Sequence, residues 1–135
     1  MLAGGCYCGE VRYEISADPV MSAQCHCRPC QYISGGGPNY YMLVKPESFT
    51  YTQGEAKPFK RADIEHAVTR EFCPNCGTHI MTRRPGIDFV IVKAGTLDEP
   101  AAFGKPKMAI YCAEMAPYHV IPEGMPAFDG LPVRR

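Results

Sequence analysis

Within six residues, Cys25 His26 Cys27 Arg28 Pro29 Cys30, the chain places three thiols. A cysteine buried for packing is normally single and inert. Three thiolates this close repel one another unless a cation lies among them. The segment therefore reads as three ligands of one metal ion, and dense thiolate ligation favours zinc. The ligand count leaves two forms open. Three protein ligands with a free fourth position make a site that does chemistry, whereas a fourth ligand from elsewhere makes a closed structural site.

Two further pairs stand far apart, in Gly5 Cys6 Tyr7 Cys8 Gly9 and in Phe72 Cys73 Pro74 Asn75 Cys76 Gly77. A C-x-C pair cannot complete a tetrahedral site by itself, so Cys6 and Cys8 need partners from a distant part of the chain. In both pairs glycine follows the second cysteine, which permits the left-handed turn that faces backbone N–H groups to the sulfurs. Gln31 follows Cys30 instead. The two pairs are thus expected to form one closed site of four thiolates, leaving Cys25, Cys27 and Cys30 as a separate set. Two zinc ions per chain follow. The N-terminal Met1 to Gly5 has neither the basic stretch nor the apolar run of a signal peptide, and no segment has the apolar length of a membrane span. A cytoplasmic protein is expected, and in a reducing compartment clustered cysteines favour metal over disulfides.

At 135 residues the chain is expected to form a single domain, 1–135, in which metal sites supply part of the stability. Gly and Pro number 13 each, above their average share of about 12% together, and predict a turn-rich fold. Val11, Tyr13 and Ile15 alternate with charged neighbours as in a half-buried strand, and Tyr40–Val44 reads as a buried one. Ser48–Thr52, Thr78–Arg83, Asp88–Ala94 and Met108–Met115 continue the pattern, the last with Ile110 and Cys112 on one face and Tyr111 on the other. The segment from Glu55 to His66 forms either one helical turn or an edge strand around Pro58, and no helix of ten residues is expected. The class is all-β, with short antiparallel sheets bridged by zinc. Fourteen basic and fourteen acidic side chains cancel, which leaves no electrostatic footprint for nucleic acid or an anionic membrane.

Taken together, Gly5–Tyr13, Cys25–Cys30 with Ser34 and Gly35, Phe72–Thr78 and Gly95 Thr96 Leu97 Asp98 resemble the glutathione-dependent formaldehyde-activating enzyme family, whose domain also occurs in centromere protein V. The resemblance implies an Mss4-like β-tent, a structural zinc on Cys6, Cys8, Cys73 and Cys76, and a catalytic zinc on Cys25, Cys27 and Cys30. It also implies a carbon–sulfur lyase activity, joining glutathione and formaldehyde into S-hydroxymethylglutathione, and is compatible with a homodimer. The chain departs from the family pattern at Met108–Tyr111, where relatives often carry His, and at Pro117 Tyr118, where they carry Trp.

Three thiolates make a bound zinc a weak Lewis acid that prefers a soft ligand, so the expected chemistry is reversible addition of a small thiol to an aldehyde. The alkoxide formed needs a proton donor, and His26 is the nearest titratable group in sequence; in an extended segment, however, its side chain points away from those of its neighbours. Ser34, Gly35, Gly36 and Gly37 form either a plain connection or a pocket rim whose N–H groups receive a substrate carboxylate. Arg28 either offsets the anionic cluster or is solvated, His79 and Tyr111 fall within strand patterns, and Cys112 is a small core residue or the thiol that closes the second site. A zinc deaminase is excluded by the missing H-x-E and P-C-x-x-C arrangement. The competing reading is a zinc module that binds a protein partner without catalysis.

Overall fold

The computed structural model describes residues 1–132. In chain order it contains β1 (Leu2–Gly5), β2 (Arg12–Ile15), β3 (Met21–Cys25), α1 (Arg28–Ile33), β4 (Asn39–Val44), β5 (Phe49–Gln53), β6 (Lys57–Phe59), β7 (Thr69–Phe72), β8 (His79–Arg83), β9 (Val90–Lys93) and β10 (Ala109–Ile110), with short 3-10 turns between some of them. One sheet has the order β1-β2-β5; the other runs β10-β3-β4-β9-β8-β7-β6. Neighbouring strands are antiparallel except β10, which lies parallel to β3. The chain is all-β, as the alternation predicts, in agreement with the Mss4-like β-tent. No helix among the described residues is long and apolar enough to cross a membrane.

The period-two pattern of the first motif decides which face of β2 is inside. Val11, Tyr13 and Ile15 are fully buried, while Arg12 and Glu14 between them are not. They join Met42, Val44, Ile80, Met81, Val90 and Val92 in a core between the two sheets, and Cys6 and Cys73 belong to the same cluster. A second, smaller cluster contains Ala23, Cys25, Cys30, Tyr41 and Ile110. Each cysteine group is therefore rooted in its own apolar cluster.

Side-chain bonds lock the first sheet onto the end of β9. Arg12 grips both carboxylate oxygens of Asp98. Thr96 donates its hydroxyl to the Lys93 carbonyl at 2.8 Å, so at 2.7 Å the Tyr13 hydroxyl is the donor to Thr96. Two expectations change. The segment from Cys25 is extended only to Cys27 and then turns into the six-residue α1. Met108–Met115 is a strand only at Ala109–Ile110, because Tyr111 takes the left-handed conformation (φ 53°) and Cys112–Glu114 form a 3-10 turn. Of the alternatives for 55–66 the edge strand is the one formed, with Pro58 on β6 at the sheet margin, where its missing N–H costs no ladder bond.

Candidate metal centres and the adjoining cavity

Two turns at the junction of the sheets, one after β1 and one after β7, bring Cys6, Cys8, Cys73 and Cys76 together with all four sulfurs within 4.8 Å. Gly9 and Gly77 both take positive φ, 83° and 78°, as the glycine pattern predicts. The turns close through Gly9 N–H to the Cys6 carbonyl and Gly77 N–H to the Cys73 carbonyl. Backbone N–H groups then meet sulfur: Val11 donates to Cys6 at 3.2 Å and Cys76 to Cys73 at 3.5 Å. A tetrahedral ion with metal–sulfur bonds of about 2.3 Å, the length of a zinc–thiolate bond, spaces its sulfurs about 3.8 Å apart. The Cys6–Cys8 and Cys8–Cys73 separations, 3.6 and 3.8 Å, fit that figure. The Thr78 hydroxyl and backbone, bonding to its sulfur, hold the Cys76 thiol down at about 5.

The second cluster is local. Cys25 ends β3, Cys27 caps the N-terminus of α1 by accepting from the Cys30 N–H at 3.4 Å, and Cys30 lies inside the helix. The three sulfurs also lie within 4.8 Å of one another, and no fourth His, Cys or carboxylate among the described residues joins them at that distance. Cys112 stands outside the group, its N–H bonded to the Phe128 carbonyl. The thiols compete for protons. Hydrogen bonds from Cys25 and Cys30 hold Cys27 down at about 3, while sharing with Cys27 pushes Cys25 up to about 12 and Cys30 is pushed up as well. A cation among the sulfurs removes this competition, so both clusters can hold a metal ion.

A cavity of about 430 Å³ opens beside the second cluster, lined by Cys25, Cys27 and Cys30 and by Arg70, Arg84 and Asn39. Arg70 lies on β7 opposite Thr82 of β8, also in the lining, and Arg84 follows β8 directly. Neither arginine takes part in the ion pairs of the described residues, which are Arg12–Asp98, Arg61–Asp63 and Arg83–Glu71. Asn39 is buried beside Cys25 in the β3–β4 ladder, and its Oδ1 has no hydrogen-bond partner among the described residues. The cavity thus sets the three cysteines beside two guanidinium groups, an unpartnered amide oxygen and one carboxylate, Glu114, which accepts from the Arg28 N–H.

The sequence matches the model of the glutathione-dependent formaldehyde-activating enzyme family over residues 1–114. This chain belongs to that family. No curated protein matches it. Among solved structures it is similar to a crystal structure of a Rhodobacter sphaeroides protein, with a TM-score of 0.61 and 17% identity over 78% of this chain and 97% of the other, a likeness of fold.

Of the other residues singled out by sequence, Tyr111 lines the three-cysteine cavity of this family member and most of the rest lie elsewhere. His26 is wholly buried and absent from the cavity wall. Its partners fix its tautomer. His119 Nε2–H donates to the Gly36 carbonyl at 2.7 Å, so His119 Nδ1 is an acceptor, taking the Ala116 N–H at 3.2 Å and the His26 Nδ1–H at 2.9 Å. His26 Nε2 then accepts from Gln24 at 3.0 Å. Burial, with His119 beside it, lowers the His26 pKa and keeps the ring neutral. Gln31 ties the same knot from α1, donating to the His26 and Glu114 carbonyls. Ser34 and Gly36 are absent from the wall of the three-cysteine cavity: Ser34 accepts from Lys93, and the Gly36 carbonyl from Tyr118 and His119. Gly35, with φ 69°, completes that turn. Arg28 lies over the Tyr32 ring, 5.1 Å from its centre, and reaches Gln31 rather than the sulfurs. Arg70, Arg84, Asn39 and His119 carry no sequence signal, because only strand register and the return of the C-terminal segment bring them to the site.

Proposed function

We propose that this family member binds zinc at both cysteine clusters, and that at the three-cysteine cluster it binds a small anionic thiol, glutathione or a relative, and adds it reversibly to an aldehyde such as formaldehyde. The observation that carries this reading is the cavity itself, in which the three cysteines adjoin two guanidinium groups that have no carboxylate partner among the described residues. Zinc bound there supplies a soft cation that favours the thiolate form of a substrate. Four thiolates between the two sheets serve structure.

Arg70 and Arg84 receive the substrate's carboxylates, for which the planar guanidinium is suited, and thereby aim its sulfur at the cluster. The thiol sulfur forms the new carbon–sulfur bond as the carbonyl π pair moves to oxygen, and that oxygen takes up the proton the thiol gave up. Asn39 Oδ1, which has no partner among the described residues, can accept a hydrogen bond from the hydroxyl that this oxygen becomes. The wall of the cavity, with Tyr41, Ile91 and Ile110, restricts water. His26 acts at one remove: its network with His119 and Gln24 fixes the backbone between Cys25 and Cys27.

Exchange spectroscopy on ¹³C-formaldehyde tests the proposal. The zinc-loaded protein is expected to accelerate exchange between formaldehyde and its glutathione adduct much more than exchange with the cysteamine adduct, which lacks carboxylates. Arg70→Ala and Arg84→Ala each remove about 1.5–3 kcal/mol of charge-assisted binding, a weakening of roughly ten- to a hundredfold for glutathione only. Equal acceleration with both thiols, or none with either, contradicts the reading.

A further inference from the structure

A second cavity, of about 450 Å³, shares no lining residue with the one at the three cysteines; its wall includes Ser34, Gly37, Thr78, His79 and Lys93. We propose that it is a binding site for a small oxyanion that also carries an O–H group, the chemistry common to hydrogen phosphate, phosphate monoesters and hydroxycarboxylates. This inference does not rest on the thiol reading.

Two residues of this wall carry it. Lys93, at the end of β9, is half-buried, and its ammonium donates to Ser34 Oγ at 2.8 Å. An ammonium has three donors, and no carboxylate among the described residues forms an ion pair with this one. Burial lowers its pKa to about 8, with the Cys30 sulfur opposing that effect and Arg70 adding to it, so the group is still largely cationic at neutral pH. A cation drawn out of water without a counter-charge is costly, and an anion in the cavity offsets that cost. His79 supplies the second feature. Its Nε2 lies 3.0 Å from the Met81 carbonyl, which only accepts, so Nε2 bears the proton and Nδ1 is a lone pair. That Nδ1 is buried and has no partner among the described residues. Lys93 asks for a negative oxygen, and His79 asks for a donor. A ligand with both satisfies both.

The Ser34 turn explains why the site forms here. Gly35 and Gly36, at φ 69° and 100°, reverse the chain after α1, and the Gly36 carbonyl is clamped by His119 and Tyr118, so Ser34 is presented to Lys93 from a fixed loop. Lys93 has one competing role, as counter-charge to the thiolates around Cys30, and the test separates the two.

Inorganic phosphate and glycolate are titrated separately, at constant ionic strength, into the zinc-loaded full chain. Calorimetry reports binding, and the ¹⁵N shift of the His79 imidazole reports the contact. Saturable binding in the millimolar range is expected, with the His79 Nδ1 resonance moving as its lone pair accepts a proton donor. Lys93→Met is expected to weaken binding about tenfold or more, and Ser34→Ala several-fold. Binding of phosphate alone assigns the site to phosphate esters, and binding of glycolate alone assigns it to hydroxycarboxylates. The proposal is overturned if neither ligand saturates, if His79 does not respond, or if Lys93→Met and Ser34→Ala bind as the parent does. It is equally overturned if Lys93→Met releases metal from the three-cysteine cluster while anion binding persists. Should Lys93→Met fail to fold, Ser34→Ala and the His79 resonance decide the matter.

Discussion

Replacing one cysteine of each cluster with serine tests the assignment of roles to the two metal sites. Cys8 and Cys73 are 65 residues apart, so an ion at the first cluster closes a long loop between the two sheets. The chain-entropy relation for cross-links gives about 4 kcal/mol for a loop of that length, and about 2 kcal/mol for the few residues from Cys25 to Cys30. Cys73→Ser also places a hydroxyl in the apolar cluster of Tyr13, Ile80 and Met81, where Cys73 is fully buried, whereas Cys27 is partly exposed at the start of α1. The loop term alone separates the variants by about 2 kcal/mol, which at roughly 2.1 cal/mol/K per residue corresponds to about 7 °C in melting temperature for a chain of this size. Thermal melts of the two zinc-loaded variants, followed by circular dichroism, measure the difference. Cys73→Ser is expected to melt lower. An equal or lower melting temperature for Cys27→Ser refutes the argument and exchanges the two roles.

Stability is expected to fall with acid through His79. Burial, with Lys93 and Arg70 as neighbouring cations, lowers its pKa from 6.5 to about 4, so the unfolded chain binds the extra proton between these values and the native chain does not. The contribution, about 3 kcal/mol at most, is complete above pH 6.5 and is lost as pH falls to about 4; urea unfolding of His79→Gln against the parent across this range should show the loss in the parent only, acid lability of the metal sites being common to both. Tyr13→Phe removes the hydrogen bond to Thr96 with little change in packing and is expected to cost about 1 kcal/mol in urea unfolding. A cost near zero would show that the Tyr13–Thr96–Lys93 chain does not fasten the first sheet.

Much of the fold is legible because short-range rules govern it. Alternation at Val11, Tyr13 and Ile15 survives because one face of β2 is buried, and a one-residue slip would turn that face outward. The glycines after Cys8 and Cys76 announce their own backbone geometry. The helix at Cys27 also had a local signal: Pro29 stands at its second position, where a proline costs no hydrogen bond, and an extended reading of the cysteine cluster passed over it. Tyr111 had none, since a left-handed tyrosine is imposed by the tertiary structure around it. The cavity groups are the least legible. Arg70, Arg84 and Asn39 come from three separate strand regions, and only the pairing of β3, β4, β9, β8 and β7 in one sheet brings them to Cys25. Similarly, Ser34 and its glycines read as a loop that could serve the thiol site, but Ser34 and Gly37 line a different cavity.

Cobalt in place of zinc offers the most direct test of the central claim, that the three-cysteine cluster keeps a place for a substrate sulfur. Glutathione at millimolar concentration is expected to strengthen the sulfur-to-cobalt charge-transfer band of the parent, and to do so far less in Arg70→Ala. A spectrum unchanged by glutathione in the parent would contradict the claim and make the chain a closed zinc-binding module.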